Sequence, residues 1–301
     1  SSDKVGFDYK TTTYYFLNLL ERQKIQSINL YNPCILLKAV KNIIEQNGAK
    51  SAHIRDGVSI TKYIYWLKNK MDIKSENEIS VANYLEELRK KNKYFYSLSF
   101  DTISAIDKNA ALPHYRVTED IKSSFSKNNI YLVDSGAQYF DGTTDITRTI
   151  ILGKPTEEQK DRFTRVLKGH IALSNHVFTK GTKGTDIDYL ARFSLNQINL
   201  DYDHGTGHGI GSFLSVHEAP QRIAKKTMFD SVELLPGMIL SNEPGYYKEN
   251  EYGIRIENLL LIKENIDGNL YFENISWCPI DMDLINKSML DSKEVNWLNK
   301  Y

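Results

Sequence analysis

The sequence predicts an α+β fold rather than a doubly wound parallel sheet. Stretches with helical periodicity occur in pairs, and stretches with strand character follow them in groups instead of alternating with them one by one. Of the 301 residues, 41% are hydrophobic and 25% are charged, which is typical of a globular protein. This length is enough for one large domain or two smaller ones.

The composition disfavours several classes of function. The formal net charge is zero, so there is no electrostatic reason to expect binding to nucleic acid or to an anionic membrane. No apolar run approaches the ~18–20 residues of a membrane span, and the first residues contain no apolar signal region. Cys34 and Cys278 are far apart, and two cysteines are too few for a disulfide-dependent fold. We therefore expect reduced thiols and a cytoplasmic protein.

Residues 1–35 are expected to be the tail of a preceding domain and its linker. Thr12–Gln23 is predicted to be a short helix, and Ile28–Tyr31 has strand character. Asn32-Pro33 marks a boundary, because the residue before a proline is restricted to extended conformations. The main domain is expected to span residues 36–301.

Three helices are predicted after residue 36. The first runs from Leu36 to Gly48, where the glycine would serve as the C-terminal cap, the second spans Ser51–Met71 and the third spans Ser80–Lys93. Ser97–Ile103 is the first clear strand. The chain is therefore expected to change from helical to strand character near residue 97.

Two strands and then two helices are predicted in the middle of the chain. Ile130–Asp134 and Asp145–Ile151 have strand composition, with a turn at Asp141-Gly142. Thr156-Glu-Glu-Gln159 matches a capping box that would open a helix to about Phe178, and Thr185–Asn199 is amphipathic at helical spacing. The remaining predicted elements are strands at Ser212–His217, Met238–Asn242, Gly253–Ile262 and Asn269–Ile275 and a helix at Ser292–Tyr301.

The most distinctive stretch runs from His204 to Glu218 and reads His-Gly-Thr-Gly-His-Gly-Ile-Gly-Ser-Phe-Leu-Ser-Val-His-Glu. It contains three of the seven histidines and four alternating glycines. A strand gains nothing from so many glycines, so we expect this backbone to pack closely against something small and charged. In an extended chain His204 and His208 would point to the same side and into one cavity. The alternative is a glycine-rich loop with incidental histidines.

Four carboxylates lie at the ends of apolar strands or inside one, namely Asp134, Asp145, Glu243 and Glu257. A charge in such surroundings is unfavourable unless it is paired or bound to a metal. A salt bridge to Arg255 would explain Glu257 alone, and a turn role would explain Asp134 alone. Four such carboxylates together with His208 are better explained by a cation site.

Four carboxylates and one imidazole suit two neighbouring divalent cations. Mn²⁺ or Co²⁺ fits this mainly oxygen ligand set better than a thiolate-type zinc site would. Two such ions can activate a bridging water and polarise a carbonyl. No arrangement of a nucleophilic serine or cysteine is evident, so the sequence indicates metal-assisted hydrolysis.

The motifs around these residues resemble the pita-bread metallopeptidases, the family of methionine aminopeptidase, prolidase and aminopeptidase P. The similarity runs from about Asn32 to the C-terminus and is greatest to the long, cytosolic-type eukaryotic aminopeptidase P. The motifs that carry it are Lys38-Ala-Val-Lys-Asn42, Asp134-Ser-Gly-Ala-Gln138, Asp141-Gly-Thr-Thr-Asp-Ile-Thr-Arg-Thr149, Leu167-Lys-Gly-His170, His204–Glu218, Asn242-Glu-Pro-Gly-Tyr-Tyr247 and Gly253-Ile-Arg-Ile-Glu-Asn258. The resemblance implies the pita-bread fold, in which helices flank a curved, mostly antiparallel sheet.

The resemblance also implies a site with two divalent metal ions, preferably Mn²⁺, with Co²⁺ or Zn²⁺ as alternatives. The implied metal ligands are Asp134, Asp145, His208, Glu243 and Glu257. Of these, Asp145 and Glu257 would bridge the two ions, Asp134 would bind one ion, and His208 with Glu243 would bind the other. Glu243 would also be the general base for a metal-bridging hydroxide.

Further residues are implied to surround the metal ligands. The implied catalytic and substrate-binding histidines are His114, His204 and His217. Tyr247 and Arg255 are implied as additional substrate-binding residues. By contrast, His53, His170 and His176 are expected to be ordinary helix residues.

The implied activity is that of an Xaa-Pro aminopeptidase, which hydrolyses the bond between an N-terminal residue and a following proline. One alternative is a proline dipeptidase, with the same ligands but a site closed to longer peptides. Another is a non-catalytic pita-bread binding module, which the presence of all five ligands disfavours. The resemblance implies peptide substrates with proline in second position, a homodimer and two further domains before the catalytic one. The sequence itself gives no oligomeric signal.

Overall fold

In the computed structural model, which describes residues 4–70, 72–225 and 232–301, the chain separates into two units, Ser1–Lys38 and Ala39–Tyr301. In the first unit, strand β1 (Lys4–Phe7) pairs in parallel with β2 (Gln26–Asn29), and helix α1 (Tyr14–Arg22) connects them. The helix predicted at residues 12–23 is found, whereas the strand predicted at residues 28–31 begins and ends two residues earlier. The interpretation of residues 1–35 as a domain tail stays a prediction.

The rest of the chain is a mixture of helices and strands, as the sequence predicts. The remaining helices are α2 (Pro33–Ala39), α3 (Ile43–Asn69), α4 (Glu78–Lys90), α5 (Glu157–Ser174), α6 (Gly184–Asn196) and α7 (Ser292–Lys300). The remaining strands are β3 (Phe95–Leu98), β4 (Ile103–Ile106), β5 (Ile130–Ser135), β6 (Ala137–Tyr139), β7 (Gly142–Thr143), β8 (Ile146–Ile151), β9 (Val177–Phe178), β10 (Gly207–Gly209), β11 (Glu218–Ile223), β12 (Ile239–Asn242), β13 (Gly245–Lys248), β14 (Tyr252–Arg255), β15 (Asn258–Glu264) and β16 (Leu270–Asn274). Within the described ranges, no helix has the length and apolarity that a bilayer span requires.

The antiparallel sheets implied by the resemblance are confirmed. The largest sheet has six strands in the order β11-β10-β12-β15-β16-β9. Two three-stranded sheets, β3-β6-β7 and β4-β5-β8, and the pair β13-β14 complete the larger unit in the described residues. Neighbouring strands of all these sheets pair antiparallel, and helices flank them.

The first predicted helix is divided between α2 and α3, and α3 also includes the second predicted helix. The expected C-terminal cap at Gly48 is wrong, because α3 starts at a capping box on Asn42 and continues through Gly48 to Asn69. The glycine is needed there for another reason, since a Cβ atom would collide with the carbonyl oxygen of Asp141. Met71, the predicted end of the second helix, lies outside the described residues.

One predicted strand does not form, two predicted strands are each split, and one helix ends earlier than predicted. Residues 212–217 form no strand, because the chain turns at Phe213 (φ +53°) and the N–H of Gly211 donates to the carbonyl of Ser215. The strands predicted at residues 97–103 and 253–262 are each split in two. Helix α5 ends at Ser174 rather than near 178, so His176 lies in the connection to β9 and not in a helix.

The core of the larger unit is formed where the helices cover the sheets. Helices α3 and α4 pack on β5 and β8 through the buried side chains Ile60, Leu67, Val81, Leu85, Val133, Ile146 and Ile150. Helix α5 packs on β14 and its surroundings through Phe163, Val166, Leu167, Ile171, Tyr252 and Ile254. These two helix layers fix the strands whose ends carry the candidate site residues.

A buried arginine connects the strands with the C-terminal segment. The guanidinium of Arg148 donates to the backbone carbonyls of Glu257 (2.7 Å) and Cys278 (2.8 Å) and to the side chain of Asn258 (2.9 Å). It also donates to the phenolic oxygen of Tyr301 at 2.6 Å, and that oxygen accepts from the N–H of Cys278 at 3.1 Å. The hydroxyl of Tyr301 is therefore part of a buried polar network.

Replacing Tyr301 by phenylalanine is expected to lower the free energy of unfolding by about 1–3 kcal/mol, because two buried donors lose their acceptor. Urea unfolding of the metal-free chain measures this. The matched control is Tyr65→Phe, which removes the hydroxyl of a side chain that is 70% exposed. Equal stability of the two variants would contradict the proposed contribution of the Tyr301 hydroxyl.

Candidate active site

A cavity of 490 Å³ brings together nearly all of the predicted site residues. Its walls include Asp134, Asp145, His208, Glu243, Glu257, His114, His204, His217 and Arg255. Tyr247 does not line the cavity itself but hydrogen-bonds to His204 and Arg255, which do. Residues separated by up to 143 positions in the sequence, from His114 to Glu257, thus meet in one place.

Strand pairing places the five predicted metal ligands. Asp134 lies on β5 opposite Thr147 of β8, and Asp145 directly precedes β8. Glu243 follows β12 and Glu257 precedes β15, and these strands pair through Asn242 and Asn258. His208 lies on β10, which is the other neighbour of β12. Two sheets therefore bring the five predicted ligands to one cavity.

Ligand atoms of Asp145, His208 and Glu257 all lie within 4.8 Å of one another. The Nε2 atom of His208 is 3.5 Å from Asp145 Oδ2 and 3.3 Å from Glu243 Oε1. The other ring nitrogen, Nδ1, is 3.1 Å from the carbonyl of Gly209, to which it can donate. This hydrogen bond favours the tautomer whose Nε2 lone pair faces the carboxylates, as in many metal-binding histidines.

The carboxylates of this cluster repel one another. Burial raises the pKa of Asp145 and Glu257 well above their usual range, and neighbouring carboxylates raise it further. Burial likewise raises the pKa of Glu243 to about 7, with a further contribution from Asp134. At an effective dielectric constant of ~20, two unit charges ~5 Å apart repel by about 3 kcal/mol. Divalent cations would remove this repulsion.

Two carboxylate oxygens also lack a hydrogen-bond donor. Oδ1 of Asp134 and Oδ1 of Asp145 are buried and have no partner among the described residues. An unsatisfied buried acceptor costs about 1–3 kcal/mol, so such atoms normally have a function. Unpaired oxygens, clustered carboxylates and an oriented imidazole together fit a site for divalent metal ions.

A chain of hydrogen bonds connects His204 with Asp134. Arg255 donates to Asp134 Oδ2 at 2.7 Å and to the hydroxyl of Tyr247 at 2.7 Å. That hydroxyl is 2.8 Å from Nε2 of His204, and Nδ1 of the same ring is 2.8 Å from the carbonyl of Gly205. Burial, together with the nearby charge of Arg255, lowers the pKa of His204 to about 3. The His204 ring is therefore neutral, and its Nε2 atom accepts a hydrogen bond from the hydroxyl of Tyr247.

The two other predicted histidines are exposed to the cavity. The ring of His217 lies edge-on to that of His208 with centroids 4.3 Å apart. His114 also lines the cavity, on a loop that Arg255 holds through a 3.3 Å hydrogen bond to the carbonyl of Pro113. Both imidazoles are free to contact a bound molecule, whereas Nε2 of His204 is engaged by Tyr247.

The glycines of the histidine-rich stretch are explained by close packing against backbone. A Cβ atom at Gly207 would collide with the carbonyl oxygen of Ser241, and one at Gly209 with that of Glu218. The expectation of crowding is confirmed, but the partners are neutral carbonyls of adjacent strands rather than a small charged group. These contacts let β10 fit between β11 and β12 and bring His208 to the carboxylates.

Three supporting residues were missed from the sequence. Thr147 donates to Glu257 Oε2 at 2.7 Å, and Ser241 donates to Glu243 Oε1 at 2.9 Å. Each lies two residues from a ligand in a strand segment, so alternation of side chains would have indicated them. His170 of α5, expected to be an ordinary helix residue, contacts the Asn242 carbonyl at 3.0 Å and Asn258 Nδ2 at 3.2 Å. Its ring braces the two strands next to Glu243 and Glu257, which no local pattern reveals.

The chain is similar to known metallopeptidases along most of its length. The sequence model of metallopeptidase family M24 matches residues 47–264, and that of the C-terminal region of this family matches residues 268–301. A probable Xaa-Pro aminopeptidase P from Botryotinia fuckeliana is 46% identical over 273 residues, which cover 88% of this chain and 42% of that protein. The chain thus spans about half the length of the relatives that it matches.

Two solved structures have the same fold. The crystal structure of the X-prolyl aminopeptidase from Caenorhabditis elegans, described as a cytosolic enzyme with a di-nuclear active site, is 35% identical with a TM-score of 0.85 and covers 95% of this chain and 51% of that one. An Xaa-Pro dipeptidase from Bacillus anthracis is 29% identical with a TM-score of 0.78, covering 93% and 74% respectively. The family resemblance predicted from the motifs is therefore confirmed.

The buried ring of His170 is expected to make stability depend on pH. Burial, together with the charge of Arg148, lowers its pKa to about 3, whereas an unfolded histidine titrates near ~6.5. Below ~6.5 the unfolded chain binds the proton first, so unfolding becomes easier as the pH falls towards 3. Between pH 7 and 5 this contributes a loss of about 2 kcal/mol.

Urea unfolding of the metal-free wild type and His170→Gln at pH 7 and pH 5 tests this. The stability difference between the two proteins should shrink by about 2 kcal/mol at the lower pH. Comparison with the variant cancels the contributions of the other histidines and of the carboxylates. An unchanged difference would show that His170 does not titrate in the expected way.

Proposed function

The chain belongs to metallopeptidase family M24, and from this premise we propose that it is the catalytic part of an Xaa-Pro aminopeptidase. The reaction is hydrolysis of the peptide bond between an N-terminal residue and a following proline. The observation that carries the proposal is the cavity in which four carboxylates, one oriented imidazole and two exposed histidines meet. The relatives at about 45% identity, which are named Xaa-Pro aminopeptidases, support this substrate class.

We further propose that Asp134, Asp145, His208, Glu243 and Glu257 hold two divalent ions. The unpaired oxygens of Asp134 and Asp145 and the raised carboxyl pKa values support a cation site, and the di-nuclear C. elegans enzyme supports two ions. Ligand atoms of Asp145 and Glu257 lie within 4.8 Å of each other and of His208, which supports their place in the ligand set. Mn²⁺ is the preferred ion, with Co²⁺ or Zn²⁺ as alternatives. Bound divalent ions supply Lewis acidity, which activates water and polarises the scissile carbonyl.

Proton transfer is assigned to the chain's own residues. Glu243 is held through Oε1 by Ser241, which fixes its carboxylate beside the ligands and suits it to accept a proton as general base. The proline nitrogen must be protonated to leave, since it has no hydrogen of its own. His217, exposed beside His208, is suited to donate that proton, and His114, which also lines the cavity, is suited to hold the substrate.

Tyr247 and Arg255, the remaining two proposed substrate-binding residues, act together with His204. Arg255 and Tyr247 fix the neutral His204 ring, so that this wall presents a rigid polar surface to the substrate carbonyls. Arg255 also orients Asp134. In this arrangement His204, Tyr247 and Arg255 position the substrate and Asp134.

The main alternative is a proline dipeptidase, favoured by the likeness to the B. anthracis enzyme, which has the same fold. The two activities differ in whether a residue is tolerated after the proline. A non-catalytic binding module is disfavoured because all five proposed ligands are present and gathered.

Three further assignments go with the proposed function. A cytoplasmic location is supported by unpaired Cys34 and Cys278 and by the cytosolic description of the C. elegans enzyme. A homodimer is proposed from the family resemblance. Residues 1–35 are proposed to be the end of a preceding domain, which agrees with their separation from the unit that starts at Ala39.

Metal binding can be tested without turnover. The wild-type chain is expected to bind two Mn²⁺ ions in equilibrium dialysis, and Mn²⁺ at 100 times its dissociation constant should raise the free energy of unfolding by about 2.7 kcal/mol for each ion bound. Asp145→Asn should lose at least one ion and most of this stabilisation. Asp267→Asn, at an exposed turn, is the matched control. Binding by Asp145→Asn equal to that of the control would contradict the ligand set.

Activity is tested with Ala-Pro-Ala, Ala-Pro and Met-Ala-Ala on protein stripped of metal and reloaded with Mn²⁺. Only Ala-Pro-Ala should be cleaved, and Glu243→Gln should lower kcat by about 10²–10⁴-fold, because it removes the proposed base. The control Glu273→Gln changes a half-exposed glutamate that pairs with Lys50 outside the cavity.

Each other outcome has a defined meaning. Cleavage of Ala-Pro alone would replace the proposal by a proline dipeptidase. Metal binding with no cleavage of any of the three peptides would contradict an enzymatic role for this chain. Full activity of Glu243→Gln would leave the reaction standing but remove Glu243 as its base.

A further inference from the structure

One wall of the active-site cavity carries an arginine that the proposed mechanism does not use. Arg222 lies on β11, and the register of β10 and β11 pairs it with His208. Directly paired residues of antiparallel strands project from the same face of a sheet. The side chain of Arg222 therefore projects on the face from which His208 enters the cavity, and Arg222 lines that cavity.

The glycine-rich stretch leaves room for this guanidinium. A Cβ atom built at Gly205 would lie 3.2 Å from Nη2 of Arg222, which is closer than side chains normally approach. Gly205 follows His204 directly, so the guanidinium lies over the wall that also presents that ring. Gly205 thus packs directly against the guanidinium of Arg222 at the cavity wall.

The two arginines of the cavity differ in what they bind. Arg255 is buried and is fully occupied by Asp134, Tyr247 and a backbone carbonyl. Arg222 is exposed, and within residues 4–70, 72–225 and 232–301 no hydrogen bond or ion pair engages its guanidinium. A cationic side chain that lines a cavity and has no partner within the protein is available to a bound molecule.

The anions of the cavity do not offset this charge. The negative charge of the four proposed carboxylate ligands equals the positive charge of two divalent ions. The two other acidic residues of the wall are paired elsewhere, Glu218 with Lys41 at 2.5 Å and Asp101 with Arg116 at 2.6 Å. Among the described residues that line the cavity, none compensates the charge of Arg222.

We propose that Arg222 is a specificity-determining residue, which binds a carboxylate in the part of the peptide substrate that follows the proline. This inference rests on the proposed function and adds a preferred substrate class to it. The free ammonium of the substrate is repelled by a guanidinium, so the carboxyl end of the peptide is the part that Arg222 attracts. The carboxylate is either the terminal group of a short peptide or the side chain of an acidic residue.

Matched peptides distinguish these two sources. Ala-Pro-Ala and its C-terminal amide differ only in the terminal carboxylate, whereas Ala-Pro-Glu-amide and Ala-Pro-Gln-amide differ only in the side-chain charge. The Mn²⁺-loaded wild-type chain should prefer the charged member of at least one pair by about three- to tenfold in kcat/KM, mainly through KM. Raising the ionic strength should reduce this preference, because the guanidinium is exposed.

Variants of Arg222 provide the decisive comparison. Arg222→Gln should bring the ratio of kcat/KM for charged to neutral peptide close to one, and Arg222→Lys should restore part of it. The control Lys225→Gln removes the same charge three residues away, from a side chain that pairs with Asp201 at 2.6 Å, and should keep the wild-type ratio. Equal ratios in wild type and Arg222→Gln would overturn the inference.

Failure of the inference is distinguishable from failure of the proposed function. If the wild type cleaves both members of each pair equally, the peptidase assignment stands and the role of Arg222 is wrong. If it cleaves none of them, titration calorimetry of the same peptides with Mn²⁺-loaded protein still decides. Tighter binding of the charged peptides that is lost in Arg222→Gln supports the inference, and equal binding overturns it.

Discussion

The mutual repulsion of four carboxylates around one cavity is the constraint on which the larger unit depends. Burial and proximity raise the pKa of Asp145, Glu243 and Glu257, so the polypeptide has to hold these groups against a force that separates them. It does so with two antiparallel sheets, each of which fixes its carboxylates at strand ends. Such a cluster is stable only in a rigid framework and with cations to neutralise it.

Three of the four proposed carboxylate ligands are also held by a second side chain. Thr147 holds Glu257, Ser241 holds Glu243, and Arg255 holds Asp134. Behind them, Arg148 and His170 fix the backbone of β12 and β15 through buried hydrogen bonds. The catalytic proposal and the stability of the core therefore depend on the same interactions.

Local sequence patterns determined the fold class and the composition of the candidate site. Helices and strands follow hydrophobic periodicity, and the capping box at Thr156 opens α5 where it was predicted. The motifs around His208 and the four carboxylates identified the family, because a ligand set restricts residue type and spacing whatever the surroundings are. Nine of the ten predicted site residues accordingly line one cavity.

Tertiary structure decided what local patterns do not encode. Gly48 lies inside a helix because Asp141, far away in sequence, packs against it, and residues 212–217 turn instead of extending. His170 contacts Asn242 of β12 and Asn258 of β15 only because α5 packs near these strands. Arg222 lies at the cavity because its strand pairs with that of His208. The sequence by itself determines which groups are available, whereas long-range packing and strand register determine which of them meet.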